Sequence, residues 1–82
     1  MMIENELFNL INSIQEIPPK DREAVSEYLK HREWGVAFEI FCSTLEQEKI
    51  LVSKTQYEII EKIGHLMNYE HTLWRRLLIS DD

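Results

Sequence analysis

Pro18 and Pro19 stand side by side and are the only prolines in 82 residues. Glycine is as scarce, with Gly35 and Gly64 alone. An all-β chain needs a turn roughly every ten residues, built largely from glycine and proline. One strong break in the chain therefore points to helices joined by short connections.

The apolar spacing on both sides of the break agrees. Before it, Ile3, Leu7, Leu10, Ile11, Ile14 and Ile17 recur at steps of three and four, giving a first helix one apolar face. The residue before a proline is pushed out of the α region, so this helix is expected to end near Ile17. After the prolines, Asp21 is a candidate N-cap and Ala24, Val25, Tyr28 and Leu29 form the next stripe. A short second helix is expected over 21–31. Arg22, Glu23, Ser26, Glu27 and Lys30 make its outward face, an ordinary solvated pattern.

The stretch EWGVAFEIFC, residues 33–42, admits two readings. As a strand, Trp34, Val36, Phe38, Ile40 and Cys42 share a face. At about 100° per residue, Trp34, Ala37, Phe38, Phe41, Cys42 and Leu45 fall together instead. The helical pattern runs on to Leu45, and Glu46-Gln47-Glu48-Lys49 are good helix formers, so a helix is expected. Its apolar arc is wide, with Val36 and Ile40 extending it, as suits a central element. Gly35, Glu39, Ser43 and Glu46 make a narrow polar strip with Gln47 at its edge. Glu33 precedes the first buried residue, where a carboxylate can meet free backbone N–H groups.

Ile50-Leu51-Val52 reads as an apolar connector. Ser53-Lys54-Thr55-Gln56 has the form of a capping box, with Val52 and Tyr57 placed as a hydrophobic staple. Ile59, Ile60, Ile63, Leu66 and Met67 give the next helix its apolar face, and Asn68 is a plausible stop. A last helix is expected with Leu73, Trp74, Leu77 and Leu78 inward, before a polar tail Ser80-Asp81-Asp82. The expectation is one domain over residues 1–82, an all-α compact bundle of four or five short helices.

Fifteen acidic against nine basic side chains give a formal charge of -6. That field repels nucleic acid, whose phosphates must be neutralised for binding, and attracts a basic protein. No run of eighteen apolar residues appears, and MMIENELFNLINSI has no basic n-region, so neither a membrane span nor a secretory signal is expected. The single cysteine excludes an internal disulfide framework, and the expected location is cytoplasmic.

The residues offer little to catalysis. His31, His65 and His71 do not form a recognised metal spacing with one another or with Cys42, and they read as surface histidines near helix ends. Cys42 falls on an apolar arc, as a small buried hydrophobe does. No glycine-rich phosphate loop or nucleophile elbow is present. No enzyme activity, metal or cofactor is expected. Trp34 and Trp74 lie on apolar stripes and read as core residues, although tryptophan also anchors interfaces. Gly35 either eases a close approach or sits in a first helical turn, where glycine costs less. Glu39, Glu46, Glu58 and Glu61 read either as a solvated acidic face or as one acidic surface offered to a cationic partner.

Glu33-Trp34-Gly35-Val36-Ala37-Phe38-Glu39-Ile40, Leu45-Glu46, an apolar connector, Ser53-x-x-x-Tyr57 and Ile63-Gly64-x-Leu66-Met67 together resemble the MafI/CdiI-type immunity proteins of bacterial polymorphic toxin (contact-dependent inhibition) systems. The resemblance covers residues 30–79, with Trp74, Leu77 and Leu78 matching the family's C-terminal aromatic and leucines. It departs at Ser43-Thr44. It implies a helical protein that binds and neutralises the C-terminal toxin domain of a contact-delivered protein, commonly an RNase, EndoU-type enzymes included. The partner would be a basic toxin domain held 1:1, without nucleic acid or membrane.

The contact residues expected on exposure and charge are Glu39, Ser43 and Glu46, extended by Glu58 and Glu61, with Glu33 serving either as contact or as cap. The rival reading is a small helical regulator or adaptor that self-associates or binds a transcription factor through an apolar face. The sequence leaves the oligomeric state open.

Overall fold

The computed structural model describes residues 2–80; Asp81 and Asp82 of the expected polar tail lie outside them. Four helices form the body: α1 (Ile3–Ser13), α2 (Pro19–Lys30), α3 (Trp34–Gln47) and α4 (Lys54–Leu66). Two short strands, β1 (Leu51–Val52) and β2 (Leu78–Ile79), and a 3₁₀ turn at His71–Leu73 complete it. The chain is an all-α bundle with a minimal sheet at one edge.

The helical reading of EWGVAFEIFC holds. α3 is the central helix, sending Ala37, Phe38, Phe41, Cys42 and Leu45 into the core and sharing its most extensive interface with α2. Its arc is narrower than the sequence suggests, since Ile40 is half-buried and Val36 lies at the surface. The capping box at Ser53 forms in both directions, with the Gln56 N–H bonded to Ser53 Oγ at 3.0 Å and the Ser53 N–H to Gln56 Oε1 at 2.7 Å. Val52 is buried and Tyr57 packs on the core, as a staple requires.

α1 stops at Ser13, four residues before the expected end. The cause is Arg22, which the outward pattern of α2 assigned to solvent. Its guanidinium donates to the carbonyls of Ile11 at 2.6 Å, Ile14 at 3.0 Å and Ile17 at 3.3 Å. Of these carbonyls only that of Ile11 belongs to α1; those of Ile14 and Ile17 lie in the link to α2, and one planar cation ties the helix end and the link together. Ile14 and Ile17 remain buried, as apolar anchors of the link. α2 begins at Pro19 rather than Asp21, because proline already has helical φ and lacks only an N–H that the first turn would leave unpaired. Asp21 lies within that first turn. Val25 and Leu29 are the buried members of its stripe, while Tyr28 is exposed.

No glycine ends any of these helices. Arg32, Lys49 and Asn68 take left-handed backbone instead, at φ 59°, 53° and 62°. Each sits one residue past its cap, and the next N–H reaches back to a carbonyl five residues earlier: Glu33 to Tyr28, Ile50 to Leu45 and Tyr69 to Gly64. This is the Schellman arrangement, and Asn68 is the stop that the sequence indicates.

The expected last helix does not form. Trp74 and Leu77 are buried and Leu73 half-buried, but Leu78 is exposed and belongs to β2. Leu51 pairs with Leu78 and Val52 with Ile79 in parallel, and the Ser80 N–H extends the ladder to the Val52 carbonyl at 2.9 Å. A helical pattern of four residues lost to strand pairing with a distant connector. α4 is the crossover that parallel strands need. Trp74 reaches the core because Gly64 lacks a side chain: a β-carbon there would lie within 2.8 Å of three indole carbons.

Candidate functional site

The polar strip of α3 lies opposite its buried face, so Glu39, Ser43 and Glu46 are all exposed. The structure divides them between two neighbourhoods. Glu39 and Ser43 line a notch of about 360 Å³ between α2 and α3, together with Asp21, Ile40, Thr44 and Gln47. Glu46 instead faces Arg76 at 3.9 Å, near Lys49 and Leu78. Both side chains of that pair are solvated, so the pair contributes little to stability.

The glutamate at 39 is not a loose surface charge. Tyr69 Oη donates to its Oε2 at 2.5 Å, from the segment that follows α4. The same hydroxyl lies 2.9 Å from where a β-carbon at Gly35 would stand. Gly35 and Glu39 are one helical turn apart, so the glycine opens the space through which Tyr69 reaches the carboxylate. The tyrosine ring packs on Phe38 beneath, with centroids 5.7 Å apart. Accepting that hydrogen bond pins the carboxylate in one orientation, and leaves Oε1 without a hydrogen-bond partner among the described residues. The bond also pushes the Tyr69 phenol up to about 12, with burial and the Glu39 charge adding to it.

Glu33 is the N-cap of α3, but its side chain makes no capping bond. Its backbone N–H closes the end of α2 on Tyr28. Glu58 and Glu61 stand on α4, whose principal neighbours are α1 and the 3₁₀ turn rather than α3. Glu61 lies close enough to Tyr57 for its charge to raise that phenol, after burial as the larger cause. The six sequence-derived residues therefore do not converge on one spot. Asp21, Thr44 and Tyr69 join the site without having been singled out for it. Asp21 reads locally as a cap, Thr44 carries no charge, and nothing local ties Tyr69 to a residue thirty positions earlier.

Among the described residues, no group of three or more histidines, cysteines and carboxylates could hold a metal ion. His31 meets Glu27 at 3.3 Å at the surface, and His65 lies against the Trp74 ring, centroids 5.5 Å apart. Cys42 is fully buried, and burial, with Glu46 adding, drives its thiol far above the reactive range. No described helix is long and apolar enough to cross a membrane. No protein family, curated protein or solved structure matches the chain.

Proposed function

We propose that this chain is an immunity protein: a stoichiometric, non-catalytic inhibitor that holds the basic C-terminal domain of a polymorphic toxin, an RNase, through its α2–α3 face. The observation that carries this reading is the pinned carboxylate of Glu39, which has no cation within pairing distance among the described residues and shares a notch with an equally unpaired Asp21. Orienting an acid that no internal cation satisfies favours an external basic partner. A ribonuclease must gather cations around its phosphate site, so an acidic inhibitor gains both steering and complementarity. The surface is 5465 Å², and a standard interface of about 800 Å² per partner would cover about 15% of it.

The test is affinity purification from the native cell with intact-mass analysis of the companion, followed by neutralisation of its activity. A basic, nuclease-like domain at one-to-one stoichiometry is expected. Glu39→Lys should weaken its capture tenfold or more, and unchanged affinity would remove the α2–α3 face from consideration. The second reading, a helical regulator or adaptor, draws on the exposed Leu51, Leu78 and Ile79 at the sheet edge. A concentration-dependent dimer with no basic companion would favour it.

A further inference from the structure

Among the described residues β2 is paired on one side only, with β1. The Ser80 N–H donates to the Val52 carbonyl at 2.9 Å, so the N–H and C=O of Ile79, which alternate with it, point away from β1. Ile79 thus presents one donor and one acceptor along the outer edge of the sheet, and neither bonds to a described residue. Its side chain is 43% exposed, next to Leu78 at 46%. Open strand edges are templates for a further strand, and proteins commonly guard them with lysine or proline. Leu78, Ile79 and Ser80 include neither.

The charges flanking the strand name the occupant. In sequence, Arg75 and Arg76 precede it, and Asp81 and Asp82 follow Ser80. Two such segments laid antiparallel set arginines against aspartates at both ends, whereas laid parallel they set like against like. The segment is complementary to itself in one orientation, on a molecule whose net charge of -6 otherwise opposes self-association. We propose that β2 pairs antiparallel with β2 of a second copy about a two-fold axis at Ile79, giving a sheet in the order β1-β2-β2-β1. Ile79 then faces its counterpart as a hydrogen-bonded pair, each N–H donating to the other's carbonyl. Leu78 stands opposite Ser80 of the second copy, and the two Leu78 side chains meet diagonally over the small serines. Two-fold symmetry uses each of these contacts twice. The notch that holds Glu39 shares no lining residue with this edge, so the inference goes beyond the immunity reading and does not depend on it.

Sedimentation equilibrium of the full chain should show monomer–dimer exchange with a Kd of about 10–200 µM, as suits a contact in the small, weak class. Edge strands accept proline where the N–H faces away from the ladder, so Ile79→Pro removes only the outward donor and should weaken the dimer about tenfold or more. Hydrogen exchange at Val52 and Ser80 reports whether the β1–β2 ladder survives that change. Where the proline opens the ladder, a charge swap alone decides. Arg75→Asp/Arg76→Asp should disperse the dimer, and adding Asp81→Lys/Asp82→Lys should restore it to within about threefold of wild type. A wild-type chain still monomeric at about 500 µM, a dimer indifferent to the arginine change, or a swap that fails to restore it would overturn the proposal. If a basic domain co-purifies and the chain alone stays monomeric, the edge assignment fails and the immunity reading stands. If the dimer shows the charge rescue and no basic domain co-purifies, the immunity reading fails and the edge assignment stands.

Discussion

A methyl group at Gly64 would occupy space already held by the Trp74 ring, and at that depth neither helix nor indole can retreat freely. Gly64→Ala should therefore cost about 2–3 kcal/mol by overpacking, despite alanine's better helix propensity. Urea unfolding of Gly64→Ala, Trp74→Leu and the double variant should show costs that do not add, since both changes act on one contact. Gly35 faces only the Tyr69 hydroxyl, the far end of a long side chain, so Gly35→Ala is the milder change and displaces the Glu39 bond rather than the core. The Tyr69 bond has a pH signature. Its folded-state value is about 12 against an ordinary 10.0, so its contribution is complete below pH 10 and is lost as pH rises towards 12. Thermal melts of wild type and Tyr69→Phe across that window should converge at the alkaline end, and a constant gap would assign the difference to packing instead.

At the scale of elements, three helices end on left-handed residues that carry a β-carbon. Such backbone costs an L-residue about 1 kcal/mol or more, less for asparagine. Lys49→Gly should raise stability by about 0.5–1 kcal/mol once glycine's greater freedom in the unfolded chain is counted, with a smaller gain for Asn68→Gly. Chemical denaturation of both variants would check the ranking. Removing Arg22 acts in the opposite sense. Arg22→Ala removes the three guanidinium bonds to the Ile11, Ile14 and Ile17 carbonyls and should cost about 2 kcal/mol, and Arg22→Lys should recover only part of it. The helices themselves were legible, because steps of three and four, a proline pair and a capping box are local signals. Asn68 was legible as a stop for the same reason. The stop of α1 was not, because a cation nine residues away supplies it and its outward spacing looked ordinary. Nor was β2, since a short apolar run carries no mark of the strand it will pair with. Of the site, the exposed strip of α3 could be read from periodicity. The grouping of Asp21, Glu39 and Thr44 required the packing of α2 on α3.

Over the whole molecule, charge governs encounter more than stability. The formal charge of -6 is accompanied, among the described residues, by two side-chain ion pairs, both solvated and one of them dependent on a protonated histidine. Association with a basic domain should therefore slow by tenfold or more between about 20 and 500 mM salt, as steered encounters do, while dissociation changes far less. Stopped-flow mixing of this chain with its captured partner would separate the two rates. The burial of Trp74 has a further consequence, in time rather than in energy. The indole closes a core whose other members begin at Leu7, and it packs against Phe38 and into the groove left by Gly64. In a chain still being made, α1 to α3 precede that wedge, so the seam between Phe38 and Gly64 stays open until residue 74 joins them.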